Sequence, residues 1–168
     1  MDVAELDSMP KAEFVAAVSP LFEGATHFLD RLAGARPFGG ADEMFRRARV
    51  IALSMPESEQ IELIDAHPRL GAPPSSVSEM SYAEQGYDRE TTEAIADLGR
   101  LNAQYEAKFG FRFCVFVDGR SRPDLVPVLE ASLEADRGAE IRRALGDVVA
   151  IARDRYRKLS APGRGGAA

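Results

Sequence analysis

Two residues in this sequence have the types and placement for proton-transfer chemistry. They are His67, in Leu63-Ile64-Asp65-Ala66-His67-Pro68-Arg69-Leu70-Gly71, and Glu84, in Ser81-Tyr82-Ala83-Glu84-Gln85. Proline disfavours the α conformation in the residue before it, so the helix carrying Ile61, Leu63 and Ile64 is expected to stop at Ala66 or His67. An imidazole there lies at the negative end of the helix dipole, which favours the protonated ring, and a nearby carboxylate would favour it further. Such a ring is a general acid at neutral pH. The same placement suits a plain C-cap, with the ring donating to the last free carbonyls. The sequence leaves both readings open.

Glu84 carries a similar pair of readings. Ser81-x-x-Glu84 is a capping box, in which the serine side chain accepts from the Glu84 amide and the glutamate accepts from the serine amide. A helix N-terminus also offers free N–H groups to an anion. A site bounded by a helix-ending histidine and a helix-opening Ser81, Glu84 and Gln85 could hold a small anionic molecule and hand it a proton.

The elements that must position these groups follow from hydrophobic spacing. Ser8 can cap a first helix entered through Pro10, with Phe14, Val15, Val18 and Leu21 inward. A second, over about 25–32, turns Phe28, Leu29 and Leu32 inward and leaves His27 as a solvated surface histidine. A third begins near Asp42 and carries Met44, Phe45, Ala48, Ala52 and Met55. Pro56 opens a fourth, whose Glu57, Glu59 and Glu62 suit its positive end and read as a solvated face.

Beyond the Pro/Ser-rich loop over 72–77, Ala94, Leu98, Leu101, Tyr105 and Phe109 form a stripe that Gly110 stops. Helices over about 124–135 and 139–159 complete the chain, the last with Ile141, Leu145, Val148, Ala152 and Leu159 inward. Residues 111–117 are the only strand-like run and have no evident partner strand. They read as an extended segment whose backbone groups could meet a polar, planar ligand. The expected fold is all-α: a single-domain helical bundle over residues 1–160 with one extended segment near residues 111–117, and a flexible, Gly-rich tail over 161–168.

Composition narrows the function. A formal net charge of −6 over 168 residues argues against nucleic acid or an anionic membrane surface as partner. No apolar run approaches a membrane span, and the acidic N-terminus lacks the pattern of a signal peptide. The single cysteine, Cys114, is expected to be a buried structural thiol, and its lack of a partner suits a reducing, cytoplasmic compartment. His27 and His67 are too far apart for a His-x-x-x-His pair, and there is no Cys-x-x-Cys, so no transition metal is expected. Phosphate-loop, dinucleotide and nucleophile-elbow motifs are missing too. Cofactor-free acid/base chemistry is the remaining enzyme class.

Ala66-His67-Pro68-Arg69-Leu70-Gly71, Ser81-x-x-Glu84-Gln85, Leu101-Asn102-x-x-Tyr105-x-x-Lys108-Phe109-Gly110-Phe111 and Ala144-Leu145 through Ile151-Ala152-x-x-Arg155 together resemble the OHCU decarboxylase family. The resemblance runs in order over nearly the whole chain. It implies an all-helical, homodimeric, cofactor-free enzyme that converts 2-oxo-4-hydroxy-4-carboxy-5-ureidoimidazoline (OHCU) to (S)-allantoin and carbon dioxide in urate breakdown. It also implies His67 as catalytic proton donor and Glu84 as its acidic partner. Pro68, Ser81 and Gln85 would contact substrate, and backbone at Phe113, Cys114, Val115, Phe116 and Val117 would hold the ring. Arg112 stands where many relatives have proline. The rivals are a related decarboxylase or lyase acting on another small ureido or carboxylated heterocycle, and a helical binding module in which His67 and Glu84 are only caps.

Overall fold

The structure, a computed structural model, describes residues 1–71, 80 and 92–161. Within them the chain forms α1 (Val3–Ser8), α2 (Lys11–Val18), a 3-10 turn (Ser19–Leu21), α3 (Thr26–Gly34), α4 (Ala41–Ser54), α5 (Glu57–Asp65), α6 (Thr92–Phe109), α7 (Arg122–Leu133) and α8 (Arg137–Ser160). Among the described residues there is no β-strand, and the fold is all-α.

Helix α8 is the hub: α4, α5 and the 3-10 turn pack along it, while α6 pairs with α7 and α3 joins α2, α4 and α5. The expected stripes form the core. Phe14, Phe28, Leu32, Ala48, Ala52, Leu63, Leu98, Leu125, Leu145 and Val148 are all buried. No helix among the described residues is long and apolar enough to cross a membrane.

Three expectations are corrected. Ser8 does not cap the second helix; it ends α1, donating to the Glu5 carbonyl at 2.8 Å, and α2 is entered through Pro10. Leu159 points outward and is 49% exposed, because the last turn of α8 runs past the core. The acids of α5 are not simply solvated. Glu57, Glu59 and Glu62 pair with Arg137, Arg31 and His27, so the outer face of α5 is tied to α8 and α3.

Two boundaries position the site. Helix α5 ends at Asp65 with Ala66 as C-cap, as Pro68 requires. Gly110, at φ 79°, takes the left-handed conformation that glycine adopts without strain and stops α6, and the chain then runs extended to Val117. The expected loop over 72–77 and the expected helix opening at Ser81 lie outside the described residues, as do residues 162–168 of the expected tail.

Candidate active site

The turn after α5 and the extended segment are locked together by Arg112. Its N–H donates to Asp65 Oδ1 at 2.8 Å, and its Nη1 donates to the Asp65 carbonyl at 2.9 Å and the His67 carbonyl at 3.4 Å. Proline at this position would have no N–H for the first of these bonds. The pair of backbones bounds a pocket. Of the residues expected at a site, His67, Pro68, Phe113, Cys114, Val115, Phe116 and Val117 all line it. Ser81, Glu84 and Gln85 lie outside the described residues.

His67 is only 4% exposed. Its Nδ1 lies 3.1 Å from the Leu63 carbonyl one turn back. A carbonyl only accepts, so Nδ1 carries the proton and Nε2 the lone pair. The capping reading thus describes one nitrogen; the other, Nε2, is buried without a hydrogen-bond partner among the described residues.

Among the described residues the balance runs against a protonated ring. Burial, and next the positive charge of Arg155, outweigh the Leu63 carbonyl and Glu23 and push the His67 pKa down to about 4. At neutral pH the resting ring is therefore a base with an available lone pair.

The other wall comes from α8. Ile151, Asp154, Arg155 and Lys158 recur at helical spacing and face the pocket. Arg155 is 1% exposed; its Nη1 donates to the Pro20 carbonyl at 2.8 Å and its Nη2 to Glu23 Oε1 at 2.9 Å. Glu23 holds that bond from a left-handed backbone, φ 52°, which a residue with a Cβ adopts at a cost of about 1 kcal/mol. Sequence reading of the residues had not assigned Arg155 to the site. The available signal was a charged side chain on the apolar stripe of α8, three to four residues beyond Ile151 and Ala152. Among the described residues no three His, Cys, Asp or Glu side chains gather as a metal site.

The sequence profile of the OHCU decarboxylase family matches residues 7–157. The chain belongs to the OHCU decarboxylase family. It is 28% identical, over 96% of its length and 93% of the relative's, to the 2-oxo-4-hydroxy-4-carboxy-5-ureidoimidazoline decarboxylase of Halalkalicoccus jeotgali. It is 30% identical, over 90% of its length, to the uric acid degradation bifunctional protein PucL of Bacillus subtilis. The chain spans about a third of the length of that protein and of a second bifunctional Bacillus relative (31% and 32%). Its fold matches a crystal structure of OHCU decarboxylase in the presence of (S)-allantoin with a TM-score of 0.72 at 22% identity, covering 87% of this chain and 98% of that one.

Proposed function

We propose that this chain decarboxylates OHCU to (S)-allantoin and carbon dioxide, without a cofactor, using His67 as the proton-transfer group and Glu84 as its acidic partner. The observation that carries the proposal is the buried Nε2 of His67, without a hydrogen-bond partner among the described residues, on the wall of a pocket in a chain of this family.

The neutral ring sets the order of steps. Nε2 takes the proton of the 4-hydroxyl group as the bond from ring carbon 4 to the carboxylate breaks and carbon dioxide leaves. The electron pair forms a double bond to carbon 5, and the pair displaced from the carbon–nitrogen double bond goes to the ring nitrogen, which takes a proton from solvent. Nε2, now protonated, returns its proton to carbon 5 on one face as the oxygen on carbon 4 becomes a carbonyl. One fixed donor gives both rate and handedness. Burial opposes the imidazolium, so the Glu84 carboxylate beside the ring would stabilise it between the two transfers.

Arg155 supplies a buried positive charge for the substrate carboxylate, and the ring is held by Pro68, Ser81, Gln85 and the backbone from Phe113 to Val117. The anionic substrate explains why a chain of net negative charge keeps a cation in its pocket. A homodimer in a reducing, cytoplasmic setting completes this reading, the latter resting on the lone, buried Cys114.

The test generates OHCU in situ from urate with the upstream enzymes and follows circular dichroism. Rapid growth of the (S)-allantoin signal, lost in His67→Asn, is the expected result. Only the slow racemic background with wild type would refute the activity. Glu84→Gln is expected to lower the His67 pKa further, and an NMR titration without a downward shift would separate the two side chains.

A further inference from the structure

Two side chains one turn apart on α8 grip the extended segment, and their grip settles which way its peptide groups face. Arg143 Nη1 donates to the Cys114 carbonyl at 3.0 Å, and Asp147 Oδ2 accepts the Phe116 N–H at 3.2 Å. Arg143 and Asp147 are themselves joined at 3.0 Å. A trans peptide unit is planar, with its C=O and N–H pointing in opposite directions. The Cys114 carbonyl shares one unit with the Val115 N–H, and the Phe116 N–H shares the next with the Val115 carbonyl. Drawing the first carbonyl and the last N–H toward α8 therefore turns both backbone groups of Val115 to the opposite edge.

Neither Val115 group has a hydrogen-bond partner among the described residues, although Val115 is 9% exposed and lines the pocket. Buried backbone groups require partners. An N–H and a C=O side by side complement the C=O and N–H edge of a cyclic amide or ureide. The grip is itself braced. Arg143 Nη2 donates to Glu140 Oε2 at 2.9 Å, Tyr105 donates to the same oxygen at 2.6 Å, and the guanidinium lies over the Phe113 ring at 5.0 Å.

We propose that Arg143 and Asp147 are positioning residues of this site, which present the Val115 N–H and C=O as a two-point reader of a small cyclic ureide. The proposal deepens the OHCU reading and rests on it for the identity of the substrate. Neither residue touches the reacting atoms; they act through the backbone.

The experiment compares wild type, Asp147→Ala and Asp147→Asn, whose amide oxygen still accepts the Phe116 N–H. In Asp147→Ala with wild-type far-UV circular dichroism, KM for OHCU is expected to rise about ten-fold, the size of one good hydrogen-bond interaction, with a smaller change in kcat. The allantoin formed should lose enantiomeric excess, and the Phe116 amide should exchange faster with solvent. Asp147→Asn should restore KM and enantiomeric excess. A folded Asp147→Ala with wild-type KM and enantiomeric excess overturns the proposal. If Asp147→Ala does not fold, Arg143→Lys, which keeps the charge but not the fork, takes its place with the same criteria. Should wild type turn over no OHCU, the 1H–15N signal of Val115 decides. A shift on adding (S)-allantoin or hydantoin that the variant loses keeps the reader while the OHCU reading falls; no shift in wild type overturns both.

Discussion

Helix α8 feeds two buried polar clusters, and they are finished differently. In the first, Glu140, 2% exposed, accepts from Tyr105 and Arg143, and Arg143 goes on to Asp147 and the Cys114 carbonyl. In the second, Arg155 is held by Glu23 and the Pro20 carbonyl beside His67, whose Nε2 has no partner among the described residues. Burying a polar group without a hydrogen bond costs about 1–3 kcal/mol on mutational scales, so such an atom persists only where something else favours it. The first cluster is saturated and organises backbone. The second keeps one buried lone pair available, which is what proton transfer needs.

The largest way to break this contrast is His67→Asn. Loss of a positioned general acid/base lowers turnover by about 10²–10⁴-fold, while stability at neutral pH should hold because no hydrogen-bond partner of Nε2 among the described residues is left stranded. Allantoin formation and urea denaturation measure the two halves. Retained turnover would make the ring only a cap.

In the saturated cluster the same kind of truncation should do the reverse. Glu140→Ala removes the carboxylate that holds the buried Arg143 charge. Burial opposes that charge, and Glu140, followed by Asp147, more than compensates, holding the guanidinium pKa above its usual value. Removing one partner of such a pair costs about 3–5 kcal/mol, read as a fall in the urea midpoint. A loss under about 1 kcal/mol would show that the cluster is not what braces the segment.

His67 also predicts an acid instability of known sign. Its pKa is about 4 in the folded chain against an ordinary value of 6.5, so between those values the unfolded chain binds a proton that the folded chain refuses. Stability contributed by the neutral ring is present above pH 6.5 and falls by about 1.4 kcal/mol per pH unit below it, to a total of about 3 kcal/mol near pH 4. Urea denaturation at a series of pH values should show this slope in wild type and its loss in His67→Gln. Parallel curves would mean that the ring is not buried neutral.

These differences mark what a sequence can disclose. Met44, Phe45, Ala48 and Ala52 repeat at helical spacing, so α4 and its buried face were legible, and Pro68 announced the end of α5 one residue at a time. Helix α1, six residues long, is too short to show a period. His67 was legible as a group but not as a charge state, because the local dipole argues for a proton while burial and Arg155, far along the chain, argue against it. Phe111 to Val117 has strand composition, yet its Arg112 N–H, Cys114 carbonyl and Phe116 N–H are held by side chains of α5 and α8, a solution that alternation does not encode. Arg143 and Arg155 share one missed signal: a cation on the inward stripe of an amphipathic helix must bring its own partners.

The smallest change sharpens the comparison most. Tyr105→Phe deletes one hydroxyl and keeps the ring, which packs edge-on against Phe111 and Phe113 at 5.7 and 5.2 Å. Glu140 loses one of its donors but keeps the Arg143 fork, whose nitrogens lie 2.9 to 3.1 Å from its two oxygens, so no charge is stranded. The cost should be about 1 kcal/mol, that of a single buried hydrogen bond, with KM, kcat and enantiomeric excess unchanged because Arg143 still holds the Cys114 carbonyl. A change in enantiomeric excess without a matching loss of stability would mean that the phenol reports to the pocket, and the line between a saturated structural cluster and an open chemical one would have to be redrawn through Tyr105.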